Sequence, residues 1–380
     1  MIGMTTSPRS QVPRTSADPS NTELAAKIAI LLEAVERNRL GGIRLRGQDW
    51  FAWATCGGSS AVLLASERGI AEVVATSRGV HILTSAIEAG RLRAEELPDG
   101  LGVVSFEWAY PDEADALVRE NAGALPIASD LPAAGEVALP GELVAEKRSL
   151  RPQEIARYRD LGAAAAAALT ETLGRATPAS TELEVAGMGA EALLRRGLEP
   201  ALVLVAGSRR LDLYRHPRPT AEAVGDRVGV VFCGRRFGLY ANLTRFAYFR
   251  TPSAKERDAA NMVAQVEAAA FNASLPGATL GEVYAAIVDA YARLGHPGAE
   301  RDHHQGGTTG YLSREVVATP GNRTAIVAPM AMAWNPSLPG TKIEDTVIRT
   351  DDGLEIVTVD PSWPTVQVDG RERPDLRTLG

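Results

Sequence analysis

Cysteine is scarce in this sequence of 380 residues, in which only Cys56 and Cys233 occur. Two thiols cannot build a disulfide framework, and neither has the CxxC or Cys–His spacing of a metal site. We therefore expect both to be reduced thiols in a cytoplasmic protein.

Long apolar runs and clusters of basic residues are also missing. No run reaches the length that a membrane-spanning helix requires. Residues 1–20 are polar and rich in Ser, Thr and Pro, without the apolar core of a signal peptide, so we expect a disordered lead-in. The formal charge of −7 and the lack of a long Lys/Arg run argue against nucleic acid. We therefore expect neither a membrane nor a nucleic acid as a partner.

The rest of the chain has the composition of a globular protein and enough length for two domains. Residues 21–147 alternate helices with short apolar segments (SAVLLAS, IAEVVAT, VHILTS), which predicts strands and a small α/β domain. A stretch rich in Pro and Gly then indicates a linker. Over residues 148–380 a pair of helices followed by strands occurs twice, which predicts an α+β domain whose two halves enclose a cleft.

Three of the five histidines lie in unusual surroundings. His216 follows a predicted strand in the segment RHPRP, and His303 and His304 open the segment HHQGGTTGY. We expect His81, in an apolar strand, and His296, in a turn, to be structural. Glycine lets the backbone approach a ligand closely, and the segment after His304 contains three, Gly306, Gly307 and Gly310.

Two further segments place polar residues beside predicted strands. The segment AWNPSLPGTKIEDT contains Asn335, Lys342 and Glu344, and the segment NLTR contains Asn242 and Arg245. A carboxylate in place of Asn335, paired with Glu344, would supply two oxygen ligands for a divalent metal. The amide at that position raises the question of whether the protein needs a metal.

The order of these segments resembles the creatinase/prolidase family, which also contains methionine and Xaa-Pro aminopeptidases. The resemblance covers roughly residues 145–360. It implies a pita-bread C-terminal domain over residues 148–380, preceded by a smaller creatinase-type α/β domain over residues 21–147. It also implies a homodimer in which the N-terminal domain of one chain approaches the cleft of the other.

The same resemblance implies five positions for metal ligands. His304 and Glu344 match two of them, but Val231, Asn242 and Asn335 occupy the three where the family has carboxylates. Hard divalent cations depend on carboxylates for charge and affinity. We therefore expect a metal-free member of the family, with no cofactor.

Metal-free hydrolysis of a C–N bond has a precedent in creatinase. By resemblance, we expect a hydrolase for an amide-like C–N bond of a small molecule or dipeptide-like substrate. His216 would act as general base, and Glu344 would orient an imidazole or bind a cationic group. Asn242 and Asn335 would donate hydrogen bonds to the carbonyl oxygen. Further residues expected in the pocket are His304, Arg245, Tyr311, Tyr214, Gln305 and Lys342.

Other interpretations stay open at this point. The same His216 base would also serve an elimination reaction, and a non-catalytic binding protein on the peptidase fold explains the missing carboxylates. A structural subunit has no positive support. Arg245 has a structural alternative as the partner of a carboxylate such as Glu344. Lys342 either clamps a substrate carboxylate or pairs with Asp345.

Overall fold

The computed structural model describes residues 21–379. The predicted disordered lead-in over residues 1–20 lies outside the described residues. Within the described part, no helix combines the length and the apolar character needed to cross a membrane. The predicted domain boundary between residues 147 and 148 falls in the short connection between a helix that ends at Glu146 and one that begins at Pro152.

The N-terminal part is built around one six-stranded sheet of order β4-β3-β2-β1-β5-β6. The pairs β1–β2 and β2–β3 are antiparallel. The pairs β3–β4, β1–β5 and β5–β6 are parallel. The strands are β1 Gly42–Gly47, β2 Arg68–Thr76, β3 Gly79–Ser85, β4 Gly102–Phe106, β5 Ile127–Ser129 and β6 Glu136–Ala138. The helices are α1 Asn21–Arg37, α2 Gln48–Ala54, α3 Ala86–Glu95, α4 Asp112–Ala122 and α5 Gly141–Glu146.

One predicted strand is absent from this sheet. The segment SAVLLAS, residues 60–66, forms bends and turns between α2 and β2. Val62, Leu63 and Leu64 are 64%, 66% and 52% exposed, so the apolar run has no sheet neighbour to pack against. A short apolar run bounded by Gly and Ser does not by itself distinguish a buried strand from an exposed turn.

The C-terminal part contains two helix pairs and two main sheets. One sheet has the order β19-β9-β8-β7 and the other β11-β10-β12-β15-β16. The helices are α6 Pro152–Arg175, α7 Glu182–Leu194, α8 Ser208–Leu211, α9 Ala254–Ala273 and α10 Leu280–Arg293, with a 3-10 helix at Ala299–Arg301. The first strands are β7 Glu199–Gly207, β8 Arg227–Arg236, β9 Leu239–Tyr248, β10 Gly306–Thr308 and β11 Val316–Val317. The later strands are β12 Met330–Trp334, β13 Ser337–Leu338, β14 Thr341–Lys342, β15 Asp345–Thr350, β16 Gly353–Ile356, β17 Thr365–Val368, β18 Arg371–Pro374 and β19 Arg377–Thr378.

Sequence signals explain where the long helices begin. Pro152 occupies the first turn of α6, where a missing N–H costs nothing. The helices α7, α9 and α10 each begin with a capping box, in which a Thr or Ser and a Glu three residues later satisfy each other's backbone N–H. The alanine run of α6 lies against the sheet, as expected from its small side chains.

The two C-terminal sheets meet where β9 runs beside β15. Thr346 accepts a hydrogen bond from the backbone N–H of Asn242 at 2.7 Å and donates to its carbonyl at 3.0 Å. Thr244 and Glu344 form an isolated antiparallel bridge nearby. These contacts bring the NLTR and KIEDT segments together, although about a hundred residues separate them.

A buried ionic network joins the N-terminal helix α1 to α6. Lys27 donates to Glu23 at 2.8 Å and to Glu154 at 2.9 Å, and Arg157 donates to Glu23 at 2.6 Å. Tyr311 donates its hydroxyl hydrogen to Glu154 in the same network. Burial alone would raise the pKa of Glu23, but Arg157 and Lys27 outweigh it and lower that pKa to about 2.

Candidate functional site

Three imidazoles from two loops form a cluster at the surface of the C-terminal domain. His216 lies in the loop after α8, and His303 and His304 lie between the 3-10 helix and β10. The ring centroids of His216 and His303 are 4.6 Å apart, those of His303 and His304 are 4.5 Å apart, and those of His216 and His304 are 5.7 Å apart. The structure therefore brings the predicted His216 and His304 together and adds His303 between them.

The loop that carries His303 and His304 is held in place by the buried side chain of Gln305. Gln305 is fully buried, and its side-chain N–H groups donate to the carbonyls of His303 at 2.6 Å and Glu300 at 3.1 Å. Its carbonyl accepts a hydrogen bond from the hydroxyl of Tyr291 at 3.2 Å. Gln305, predicted to bind substrate, therefore has both ends of its amide bound by the protein and holds the loop in place.

The two glycines that follow Gln305 allow the neighbouring strands to pack closely against their backbone. Gly306 has φ +109°, and a Cβ there would lie 2.2 Å from the carbonyl oxygen of Ala333 on the neighbouring strand. A Cβ on Gly307 would lie 2.1 Å from the carbonyl oxygen of Val316. The expectation that these glycines let the backbone approach a ligand is thus corrected, because the close neighbour is the protein's own backbone.

All three imidazoles are held in the neutral form. Burial and the positive charge of Lys342 lower the pKa of His303 to about 2. Burial and Arg314 lower the pKa of His304 to about 4. The pKa of His216 is also lowered, by burial and then by Lys342. At neutral pH each ring therefore has one nitrogen lone pair, and one of the two on His216 and His303 accepts the hydrogen bond between their Nε2 atoms.

Glu344 lies next to the cluster but is already engaged on both oxygens. Oε1 accepts from Arg314 at 2.5 Å, and Oε2 accepts from Lys342 at 2.8 Å and from the hydroxyl of Thr244 at 3.0 Å. Burial alone would favour the protonated acid, but Lys342 and Arg314 hold the pKa of Glu344 far below its usual range. Since two cations share one carboxylate, this group carries one net positive charge.

A cleft opens beside this group. Tyr214, Arg215, Val231, Thr244 and Lys342 are among its lining residues, and the others are mostly apolar. Tyr214 is 50% exposed and lies under the guanidinium of Arg210. Lys342 pairs with Glu344 at 2.8 Å. The alternative prediction, that Lys342 pairs with Asp345, is therefore wrong.

Two predicted pocket residues have structural partners elsewhere. Arg245 makes a buried ion pair with Asp345 at 2.7 Å and also donates to the carbonyl of Thr358. The structural alternative for Arg245 therefore holds, with Asp345 as the carboxylate. Tyr311 is 1% exposed, and its hydroxyl contacts Glu154 in the network between α1 and α6. These contacts correct the expectation for Tyr311, whereas Arg245 also lines a second cleft that adjoins the first, so its place in the substrate pocket stays a prediction.

The two asparagines are buried at the base of the site. Asn242 is fully buried and its Nδ2 donates one hydrogen bond to Thr309 at 3.1 Å. Asn335 is 1% exposed and lies at the end of β12. The Oδ1 atoms of both residues are buried without a hydrogen-bond partner in the described part of the chain. Each side chain therefore keeps an unused acceptor, which can take a hydrogen bond from a donor.

Sequence reasoning missed Arg314 and gave His303 no role. Arg314 lies in the irregular segment after Tyr311, where no helical or strand period indicates which way a side chain points. The His303–His304 doublet was visible in the sequence, but side chains of adjacent residues in an extended segment point to opposite sides, so the doublet alone did not show that the two rings share one environment. Only the fold shows that His216 joins them.

Comparison with known proteins agrees with this architecture. The model of metallopeptidase family M24 matches residues 156–351, slightly more than half of the chain. A probable dipeptidase PepE of Mycobacterium tuberculosis is 27% identical over 313 residues, which cover 76% of this chain and 82% of that protein. The structure of dipeptidase PepE from Mycobacterium ulcerans matches with a TM-score of 0.73 and 22% identity, over 94% of this chain and 98% of that one. An Xaa-Pro dipeptidase from Bacillus anthracis matches with a TM-score of 0.75 and 19% identity, over 94% of this chain and all of that one.

The chain therefore belongs to metallopeptidase family M24. The predicted pita-bread fold, with a creatinase-like α/β domain before it, is confirmed by the family match and by the solved structures that share the fold.

The side chains at the positions that the sequence resemblance assigns to the family's metal ligands do not fit the metal ions that the family's name implies. Val231 offers no ligand atom, and the amides of Asn242 and Asn335 offer only neutral oxygens. Both oxygens of Glu344 are taken by Arg314, Lys342 and Thr244, so a dication would have to displace two cations. His304 alone keeps a ligand atom suited to the family's site.

Proposed function

We propose that the protein hydrolyses an amide-like C–N bond in a small, dipeptide-like molecule without the family's carboxylate-held metal ions. The observation that carries the proposal is the solvent-exposed imidazole of His216, whose pKa is lowered and whose chain neighbours Arg215 and Pro217 line the cleft. A general base needs a lone pair at working pH and must be accessible, and the neutral, exposed His216 ring meets both conditions.

The charge of the site favours a substrate with a carboxylate. Arg314 and Lys342 flank Glu344, and one positive charge is left over beside the cleft. A dipeptide presents a carboxylate close to its single amide bond, so Lys342 is well suited to bind the first while His216 faces the second. The dipeptidases among the relatives support the same substrate class.

The chemistry needs one proton acceptor and one site for developing negative charge. When Nε2 of His216 donates to Nε2 of His303, Nδ1 of His216 is the free base and removes a proton from water. The hydroxide adds to the amide carbon, and the proton returns from His216 to the nitrogen as the C–N bond breaks. An N–H of Asn242 or Asn335 would stabilise the oxyanion, a contribution on the order of 3 kcal/mol per donor.

An elimination reaction is the second candidate. Val231 is an apolar lining residue of the cleft at a position where the resemblance implies a metal-bound carboxylate, so that position offers no metal-bound water. Removal of a carbon-bound proton by His216 needs the base but no water. The same carboxylate-bearing substrates would then lose an amine and form a double bond.

A product analysis tests the proposal. The full-length protein, freed of metal by a chelator, is incubated with a panel of dipeptides and N-acyl amino acids in water enriched in oxygen-18. Hydrolysis adds one heavy oxygen to the acid product, whereas elimination adds none. The activity should disappear in His216→Ala and persist in His81→Ala, which removes a histidine from strand β3 far along the chain. Ligand-induced thermal stabilisation without any product would instead favour the binding-protein interpretation.

A further inference from the structure

Three histidine side chains offer ligand atoms that all lie within 4.8 Å of one another. The three are His216, His303 and His304, and the two closest nitrogens, Nε2 of His216 and Nε2 of His303, are 2.9 Å apart. We propose that these three side chains bind one transition-metal dication of the class that prefers imidazole, represented by Zn²⁺. Of these three residues, only His304 is also one of the five positions that the resemblance assigns to the family's metal ligands. The proposed site is therefore a different one.

The distances suit such an ion. Zinc binds imidazole nitrogen at about 2.0–2.1 Å, so two ligand nitrogens of a tetrahedral site lie about 3.3 Å apart. The 2.9 Å pair needs to open slightly, and separations of up to 4.8 Å need to close by as much as roughly 1.5 Å, which requires the exposed His216 and His304 rings to turn toward His303 when the ion binds.

The middle ligand is already held in place. His303 is 8% exposed, and its Nδ1 is buried without a hydrogen-bond partner in the described residues. Gln305 fixes the carbonyl of the same residue at 2.6 Å. Three imidazoles packed together, with ring centroids 4.5 to 5.7 Å apart, are explained by an ion that the three share.

The ligand set selects the ion. Three neutral nitrogens suit Zn²⁺, Cu²⁺ and Ni²⁺, whereas Mg²⁺ and Mn²⁺ prefer oxygen ligands. No carboxylate oxygen is free in the immediate group, because Glu344 is engaged with Arg314, Lys342 and Thr244. The net positive charge beside the cluster weakens binding of a dication and favours an anion as its fourth ligand.

Occupation of the site changes the chemistry available to His216. An ion on Nε2 forces the remaining proton onto Nδ1, and the ring then has no lone pair with which to accept a proton. His216 therefore cannot bind the ion and act as a general base at the same time. Zn²⁺ should inhibit the proposed hydrolysis. This effect rests on the proposed function, whereas binding of the ion does not.

Metal binding is tested directly on the full chain. After treatment with a chelator and desalting, the protein is titrated with ZnCl₂ by calorimetry, and bound metal is counted by elemental analysis. We expect one Zn²⁺ per wild-type chain and no comparable binding of Mn²⁺. His304→Ala and His303→Gln should each weaken zinc binding at least tenfold, while His81→Ala and His296→Ala, which remove the two histidines outside the cluster, should bind as the wild type does.

Two outcomes would overturn the site. One is a wild-type chain that binds no Zn²⁺, and the other is a folded His304→Ala variant that binds it with unchanged affinity. Because His304 is exposed, its replacement should leave the circular dichroism spectrum intact even if His303→Gln does not fold. Electron paramagnetic resonance of bound Cu²⁺ should show nitrogen ligands in the wild type and fewer of them in His304→Ala.

The activity measurement separates this proposal from the proposed function. Inhibition by Zn²⁺ that a chelator reverses supports both. Zinc binding that depends on the histidines but raises activity would keep the metal site and refute metal-independent hydrolysis. Binding lost in the variants together with no activity under any condition would keep the site and leave the hydrolase proposal refuted.

Discussion

Nε2 of His216 lies 2.9 Å from Nε2 of His303, although 87 residues separate the two along the chain. One ring must donate and the other accept, so the proton on either imidazole depends on its neighbour. Burial and Lys342 keep His303 neutral, so one of the two Nε2 atoms carries the shared hydrogen and the other accepts it. In the tautomer in which His216 donates, its Nδ1 is available as base.

Replacement of the base should remove most of the activity. General acid–base catalysis contributes roughly 10²–10⁴-fold, so His216→Ala should lower kcat by about that factor. The fold should persist, because the side chain is exposed. His304→Ala should act more on KM than on kcat. Steady-state kinetics with His81→Ala as control checks this, and near wild-type turnover in a folded His216→Ala variant would show that the base is another group.

The family's metal site should not be recovered by a single change. Asn335→Glu restores one carboxylate, but Val231 still supplies no ligand and Glu344 remains bound by two cations. We expect neither the wild type nor this variant to bind Mn²⁺ in a calorimetric titration, and we expect a chelator not to lower wild-type activity. One or two Mn²⁺ per wild-type chain, lost together with activity, would contradict this expectation.

The fold was predictable where local signals are strong. The long amphipathic and capped helices α6, α7, α9 and α10 follow from their periodicity, and the family resemblance placed His216, His304 and Glu344 in one region. The partners of Glu344 were not predictable, because Arg314 comes from an irregular loop whose direction only the assembled sheets determine. Tyr311 and Arg245 were predicted in the pocket because they are polar residues close to the motifs. The sequence does not show which buried carboxylate each of these side chains contacts.

Tyr311 should matter for stability more than for substrate binding. Its hydroxyl donates to Glu154, which also accepts from Lys27 in the network that joins α1 to α6. Tyr311→Phe leaves one buried acceptor with fewer partners and should cost about 1–3 kcal/mol in the free energy of unfolding. Urea denaturation measures that loss. An unchanged stability accompanied by a raised KM would restore the substrate-binding role.

Assembly is predicted to be a homodimer. The structure adds a candidate contact that the sequence did not show: the loop containing Val62, Leu63 and Leu64, whose three apolar side chains are more than half exposed. Adjacent exposed apolar side chains of this size often mark an interface. Light scattering at micromolar concentration should report a dimer for the wild type. Leu63→Glu should shift it toward the monomer, while Ile87→Glu, an exposed apolar position on α3, serves as the matched control. A monomeric wild type would contradict the prediction.

Stability should also depend on pH through a carboxyl group far from the histidines. Glu267 is fully buried on α9, where Nε of Arg373 donates to one of its oxygens at 2.7 Å and the other oxygen has no partner in the described chain. Arg373 also donates to Asp345 at 2.6 Å. Burial raises the pKa of Glu267 to about 7 although Arg373 opposes the shift.

The sign of the effect follows from where the proton resides. Between the ordinary value of 4.5 and about 7, folded Glu267 keeps a proton that the unfolded chain has released. The free energy of unfolding should therefore fall as pH rises through this window, by at most about 1.4 kcal/mol per pH unit from this group. The side chain in Glu267→Gln is neutral at every pH. The free energy of unfolding of this variant should therefore rise relative to that of the wild type between pH 4.5 and about 7, and the difference should stay constant above pH 7. Urea denaturation from pH 4.5 to 8 measures the difference, with the exposed Glu372→Gln as control. A difference between Glu267→Gln and the wild type that does not change with pH would show that Glu267 is ionised throughout.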